Sequence, residues 1–194
     1  MTVRVHSWLL ASLVVGPLAQ TARADDPGQH DLDQAIAAKL SADTFRSLGD
    51  VADLCQKALD AGLSDSNADF AKKLMAGVLL ERASAVCAPL LGGAAPDAQW
   101  PFRRRVALED LRRAIDCDPN QPMAQMMLAQ LQMLPGGNRE QALAALDAAV
   151  RMTADDKELC AEAFRLRAGL RSNFAERLAD LDRAVELAPA DPKP

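Results

Sequence analysis

Histidine is scarce in this chain, and its scarcity limits the chemistry that the sequence can support. The sequence contains two histidines, and beyond residue 24 only His30 remains. Nucleophilic systems that pair a serine or a cysteine with an imidazole need that base held in place. His30 lies in a short segment rich in Asp, Pro and Gly, which predicts a disordered leader at 25–30. We therefore expect no catalytic residue and no enzyme activity.

The other motifs with chemical potential also argue against catalysis. The glycine pairs at 92–93 and 136–137 lack the helix-opening lysine of a phosphate-binding loop. The carboxylate pairs Asp155/Asp156 and Asp180/Asp182 are typical of helix caps and solvated helix faces. No cofactor motif occurs, so we expect no cofactor.

Four cysteines, Cys55, Cys87, Cys117 and Cys160, are the remaining reactive side chains. No two lie at the spacing of metal ligands, so we expect no metal site. The even count allows a disulfide framework with three pairings. The alternative, which we favour, is reduced core thiols, because Cys117 stands where later copies of the same phrase have an apolar Met152 and Leu187.

That phrase repeats at a period of 35 residues. The stretches LRRAIDCDPN, LDAAVRMTAD and LDRAVELAPA begin at Leu111, Leu146 and Leu181. The other aligned columns are Leu108, Leu143 and Leu178; Ala114, Ala149 and Ala184; and Ile115, Val150 and Val185. A fixed period with helix-spaced apolar positions indicates one supersecondary unit copied along the chain. Since 35 residues hold two short helices and two turns, we predict stacked helix pairs.

Composition agrees with an all-helical fold. The 194 residues include no Tyr and five Phe, whereas strands favour aromatic and β-branched residues. Apolar spacing, caps and breakers predict a short helix near 32–40 and further helices at 44–61, 68–87, 102–116, 122–134, 139–152, 156–171 and 174–187. A long loop is predicted at 89–101. We interpret Trp100, at its end, as a cover for the apolar flank of the hairpin, the alternative being a functional loop.

The first 24 residues have the features of a cleavable signal peptide. Arg4 precedes an apolar run from Trp8 to Leu18, and residues 22–24 form a small-x-small cleavage site. Gly16 and Pro17 interrupt the run, which is too short to span a membrane, and no second stretch is judged long enough. The expected organisation is a signal peptide at 1–24, a leader with a short helix at 25–43, a repeat domain at 44–190 and a tail at 191–194. The mature chain is then exported, periplasmic or secreted, without membrane insertion.

The repeated phrases resemble the tetratricopeptide repeat (TPR) family. Ala-Ile-Asp-Cys-Asp-Pro-Asn at 114–120 and Ala-Val-Glu-Leu-Ala-Pro at 184–189 are similar to the family's Ala-Leu-Glu-Leu-Asp-Pro-Asn ending. Ala107 and Ala142 fit the small residue that opens the second helix of each repeat, a position that Arg177 takes in the last one. The resemblance extends over 102–190, and in part over 44–101. It implies an all-α, right-handed helical-hairpin solenoid of about three repeats plus N-terminal helices.

The resemblance also implies a concave groove lined by the first helix of each pair. Met123, Met126, Gln130 and Met133 lie along one side of the helix predicted at 122–134. Flexible methionines suit a surface that accepts varied apolar side chains, although core packing is the usual role of such a stripe. The neighbouring first helices add Asp69, Lys72, Leu79, Glu158, Glu162 and Arg165 to the predicted groove.

These features predict a non-catalytic scaffold that binds protein or peptide segments in an exported compartment. The net charge of −5, and the apparent lack of a basic stripe interleaved with aromatic residues, argue against nucleic acid as a partner. Two alternatives remain open. One is an assembly or oligomerisation module that uses the repeat ends, and the other is the repeat module of a longer or truncated enzyme.

Overall fold

The computed structural model describes residues 26–93 and 97–189, and all regular structure in these ranges is helical. The helices are α1 Gln29–Lys39, α2 Phe45–Ala61, α3 Asp65–Leu91, α4 Trp100–Cys117, α5 Pro122–Met133, α6 Arg139–Met152, α7 Lys157–Leu170 and α8 Phe174–Leu187. The predicted all-α fold is confirmed. The predicted signal peptide lies outside the described residues.

Each helix packs against the next one along the chain, and α3 also contacts α5. Contacts confined to neighbours are what a stack of hairpins produces. The pairs are α1–α2, α3–α4, α5–α6 and α7–α8. The 35-residue register predicted from the sequence is confirmed, because Leu111 and Leu146 are both fully buried and Ala114 and Ala149 are buried beside them.

The core lies at the junctions between hairpins. One cluster joins α3, α4 and α5 through residues that include Cys87, Leu111 and Leu131. The next joins α5, α6 and α7 and includes Leu146 and Leu170. The small alanines of the repeat let helices approach closely, so a leucine of one hairpin reaches the first helix of the following one.

The segment before α1 is held in place, which corrects the prediction of a disordered leader for residues 26–30. Asp26 accepts hydrogen bonds from the Ser64 main-chain N–H, from Ser64 Oγ at 2.8 Å and from Asn67 Nδ2. These hydrogen bonds lower the pKa of Asp26, and the bond from the Ser64 hydroxyl has the largest effect. Ser64 is the N-cap of α3, so a carboxylate from a distant segment accepts from one of the main-chain N–H groups that a helix leaves free at its start. His30 lies within α1 rather than in a leader.

Helix α3 is longer than predicted, because it continues through Pro89 to Leu91. A proline in the last turn removes one main-chain donor, and the turn survives because Leu90 is buried in the core and Gly92 N donates to Ala88 O at 2.9 Å. Since α4 begins at Trp100, the two helices extend into the predicted loop at 89–101 from both sides.

By length and composition α3 is also apolar enough to cross a membrane, with a mean hydropathy of 1.6 over its best window. The statement that no second stretch reaches membrane length is therefore wrong for this helix. Its buried residues include Met75, Val78 and Leu79, which pack in the core between α2 and α4. A helix buried in the core of a globular protein can be as apolar as a membrane span.

Candidate functional site

Two members of the predicted groove belong to the core. Leu79 packs in the cluster shared by α2 and α3, and Met126 packs in the cluster shared by α5, α6 and α7. Both side chains are buried. Because α5 lies in the middle of the stack, the hairpin that follows covers the side that carries Met126. For these two residues the groove prediction is wrong, and for Met126 the core alternative is correct.

The other predicted groove residues reach solvent to different degrees. Met123 and Met133 are exposed, and Gln130 between them is half-buried. The side chain of Met133 reaches from α5 to Gly169 of α7. A Cβ atom added to Gly169 would lie 3.8 Å from the terminal methyl of Met133. Of the charged members, Asp69 pairs with Lys73 and Glu162 with Arg165, each at 2.7 Å, while Lys72 and Glu158 are exposed. Whether these residues bind a ligand stays a prediction.

Two open clefts flank the first turns of α4, and neither includes a predicted groove residue. The larger one, which we call the cationic cleft, has a volume of about 370 Å³. It is lined by Trp100, Pro101, Arg104, Arg105, Leu108, Arg112 and Pro135. Arg104, Leu108 and Arg112 are spaced by four residues, which puts them on one face of α4.

The three arginines of the cationic cleft differ in how they are held. Arg104 donates to Leu131 O at 3.2 and 3.0 Å and to Pro135 O at 3.3 Å, and its guanidinium lies 5.9 Å from the Trp100 ring. Arg105 lies 5.5 Å from the Phe102 ring. Arg104 is thus fixed by main-chain carbonyls, whereas Arg105 and Arg112 are exposed side chains.

None of these three guanidinium groups forms an ion pair within residues 26–93 and 97–189. Nearby Arg103, by contrast, pairs with Asp97 at 2.9 Å, and the half-buried Arg82 pairs with the buried Asp110. The chain as a whole carries a net charge of −5. The cleft is therefore a local concentration of unneutralised positive charge, and guanidinium groups bind carboxylate and phosphate oxygens through paired N–H donors.

The second cleft, which we call the aromatic cleft, lies on the other side of the same turns. It has a volume of about 200 Å³ and is lined by Phe45, Val86, Gln99, Phe102, Arg103 and Val106. Phe45 and Phe102 are both exposed. Since two aromatic side chains converge here with two valines, the cleft can receive an apolar side chain of a partner.

Sequence reasoning missed this site. It interpreted Trp100 as a cover and found no basic stripe with aromatic residues. Trp100 packs against the core cluster of the hairpin α3–α4, as predicted, and it also lines the cationic cleft. The interpretation that no basic stripe with aromatic residues occurs is wrong, because in the run Trp-Pro-Phe-Arg-Arg-Arg at 100–105 the rings of Trp100 and Phe102 lie beside Arg104 and Arg105. The signal was that run together with Arg112, eight residues after Arg104. The position of Phe45, from a different hairpin, carried no sequence signal.

The carboxylates predicted as caps and solvated faces fall into two groups. Asp156 is the N-cap of α7 and accepts a hydrogen bond from Leu159 N at 3.0 Å, as predicted. Asp180 is buried instead, and accepts from Arg167 Nε at 3.0 Å and Arg167 Nη2 at 2.5 Å. A solvated face is therefore the wrong interpretation for Asp180, because α8 turns this residue towards α7.

All four cysteines are free thiols. Cys55, Cys87 and Cys160 are buried and Cys117 is half-buried. Burial raises the pKa of Cys55 to about 11 and that of Cys87 to about 12, so both are protonated and poorly nucleophilic near neutral pH. Among the described residues, no three His, Cys, Asp or Glu side chains are grouped so that they could hold a metal ion.

No family model and no curated protein matches the sequence. Among solved structures, the chain is similar to the crystal structure of a thermophilic TPR protein from Thermus thermophilus. The two sequences are 18% identical, the alignment covers 84% of this chain and 93% of that one, and the TM-score is 0.45. At this level the likeness concerns the course of the chain and carries nothing about function.

Proposed function

We propose that this chain is a non-catalytic helical-repeat scaffold that binds a segment of another protein at the first turns of α4. The observation that supports this proposal is the juxtaposition of the cationic and aromatic clefts on the two sides of one helix. A few unpaired charged donors beside exposed aromatic side chains are typical of the centre of a recognition surface. The arginines would orient the partner, and the apolar walls would contribute most of the binding free energy.

The chemistry of the two clefts indicates the composition of the partner segment. Arg105 and Arg112 favour carboxylates, and the aromatic cleft favours one large apolar side chain. A nucleic acid is a poorer fit, because the net charge of −5 repels a long polyanion and because Leu108 lies between the arginines on α4. The partner is therefore an acidic segment that carries an aromatic or large aliphatic residue.

We further propose that this binding takes place outside the cytoplasm. The support is the signal-peptide pattern of the first 24 residues, with its basic start, apolar run and small-x-small cleavage site. Expression of the full sequence followed by N-terminal sequencing of the exported product tests the localisation separately. A mature protein that begins at Asp25 supports it, and retention of Met1 in the cytoplasmic fraction contradicts it.

Selection from a random peptide library tests the proposed binding function without knowledge of the partner. We expect the wild-type chain to enrich peptides that combine Asp or Glu with one large apolar residue. The double variant Arg105→Glu/Arg112→Glu should bind these peptides at least about tenfold more weakly, since both exposed guanidinium groups are reversed in sign. The matched control is Arg151→Glu, an exposed arginine on α6, and all variants should melt at the wild-type temperature.

Two outcomes contradict the proposal. One is enrichment of peptides without acidic residues. The other is equal binding by the wild type and by the Arg105→Glu/Arg112→Glu variant, which would place the binding surface elsewhere, for example beside Met123 and Met133.

A further inference from the structure

The outer face of α8 carries an uncovered apolar stripe. Phe174, Leu178, Leu181 and Val185 are exposed by 69%, 47%, 40% and 65%. Their spacing of four, three and four residues puts them on one side of the helix. We call these four residues the α8 stripe.

In the two preceding repeats the position of Leu181 is fully buried, and the positions of Leu178 and Val185 are half-buried. Leu111 and Leu146, which stand 70 and 35 residues before Leu181, are both 0% exposed. Leu111 packs in one cluster with Ala124 and Leu131 of α5, and Leu146 packs with Ala163 and Leu170 of α7. The first helix of the next hairpin thus covers each second helix. In the described part of the chain no helix follows α8.

The first residue of the stripe is apolar where the repeats have a charged residue. Arg104 and Arg139 occupy the position of Phe174 in the earlier second helices. Arg104 donates to Pro135 O at 3.3 Å, and Arg139 donates to Leu170 O, so each arginine binds a main-chain carbonyl at the end of the next first helix. On a helix face exposed to water a polar residue would be expected here. Phenylalanine indicates that a protein surface covers this position.

We propose that the α8 stripe docks against the same stripe of a second copy of this chain, with the two helices parallel. Phe174 and Leu181 are seven residues apart, and so are Leu178 and Val185. Seven residues is the repeat of two helices packed side by side along a seam. A pair of identical helices related by a two-fold axis buries each stripe against the other. The stripe therefore matches its own copy in spacing and in apolar character.

The charges beside the stripe favour the parallel arrangement. Arg177 and Asp182 flank the stripe on opposite sides and are five residues apart. Neither forms an ion pair within the described residues, and Arg177 contacts only the Phe174 ring, at 5.8 Å. In a parallel pair each Arg177 faces Asp182 of the second copy, so two equivalent ion pairs form beside the seam. Arg177 takes the place of the buried Ala107 and Ala142, which is consistent with a different contact at this end.

The mass of the chain in solution tests this proposal directly. Sedimentation equilibrium between about 10 and about 500 µM should show wild-type mass rising from one chain to two, because a single-helix interface is small and the association therefore moderate. The variant Phe174→Glu/Val185→Glu changes the two most exposed stripe residues and should remain one chain throughout. Val185→Glu alone provides a milder variant should the double variant not fold. The cleft variant Arg105→Glu/Arg112→Glu is the control and should dimerise as the wild type does.

A charge exchange tests the orientation. Arg177→Asp and Asp182→Arg should each weaken dimerisation several-fold, and the variant with both changes should recover it, because the two ion pairs are restored with opposite polarity. A wild-type chain that stays monomeric over the whole range overturns the proposal, as does a dimer that persists in the stripe variant. Dimerisation that the exchange fails to recover overturns the parallel arrangement.

Discussion

Arg167 donates two hydrogen bonds to the buried Asp180 across the last hairpin, and Arg82 makes the same two-bond contact with Asp110 in the hairpin α3–α4. Asp110 and Asp180 occupy the same position of the repeat, directly before a column leucine. In the hairpin between them that position holds Ala145.

The arginine position changes together with the aspartate position. Arg167 stands 13 residues before Asp180, and Gln132 stands 13 residues before Ala145. Gln132 is buried and donates to Gln141 Oε1 at 2.9 Å. An ion pair thus joins the two helices in two of these hairpins. The middle hairpin carries neither charge, and none of the three carries one charge without the other. A buried charge without its partner destabilises the folded state, so each hairpin is expected to carry both charges or neither.

The first prediction concerns the two ion pairs. Asp110→Ala leaves the Arg82 guanidinium without its carboxylate and should lower the free energy of unfolding by about 3–5 kcal/mol. Asp180→Ala should cost less, because Arg167 keeps Asp147 at 2.8 Å. Urea denaturation of both variants measures the difference. The double variant Arg82→Gln/Asp110→Ala reproduces the middle hairpin and should recover part of the loss, whereas a double variant as unstable as Asp110→Ala would contradict the argument.

The second prediction concerns Ala149, which is buried at the repeat junction. A leucine there overpacks the contact between hairpins and should lower the free energy of unfolding by about 1–3 kcal/mol. Ala144→Leu, on the exposed side of the same helix, is the matched control and should change stability little. Equal denaturation midpoints for the two variants would show that the register of α6 is wrong.

The third prediction separates the core methionine from the exposed one. Met126→Glu places a carboxylate in the cluster between α5 and α7 and should unfold the domain or shift its melting temperature strongly downwards. Met133→Glu, on the exposed edge of the same helix, should melt close to the wild type. If Met133→Glu also weakens capture of the peptides selected on the wild type, the groove gains support; unchanged capture argues against it.

The fourth prediction is a dependence of stability on alkaline pH. The pKa of Cys55 is raised to about 11 and that of Cys87 to about 12, above the value of an unfolded thiol. The folded state therefore binds these two protons more tightly than the unfolded state does. The resulting contribution to the free energy of unfolding is fully present below pH 9 and is lost as the pH rises through 11 and 12. The decrease per thiol is at most about 1.4 kcal/mol per pH unit.

Melting curves between pH 8 and 10.5 measure this dependence, with Cys55→Ala and Cys87→Ala as the controls that should flatten it. Thiol titration complements the curves. We expect slow reaction in the native state and all four thiols in denaturant without reductant; fewer than four would show that a disulfide forms in the protein as isolated.

Local sequence determined the helices and their register. The predicted bounds of α6 and α8 agree with the structure, and Asn138 and Asp156 cap α6 and α7 through their own side chains. Apolar periodicity, caps and breakers act over a few residues, so they can be recognised without knowledge of what packs where. The period of 35 residues likewise indicated the stack, because each copy needs the same neighbours.

Only the tertiary structure decided which apolar and charged side chains are covered. Met126 and Met133 share one face of α5, yet the following hairpin buries the first and leaves the second exposed. Leu111 and Leu181 are equivalent in sequence, and α5 covers one while the described part of the chain leaves the other open. Burial depends on the element that packs next, and the repeated sequence pattern alone does not say which side chains that element covers. The clefts beside α4 have the same origin, since they join Phe45 and Pro135 from separate hairpins to one short run of aromatic residues and arginines.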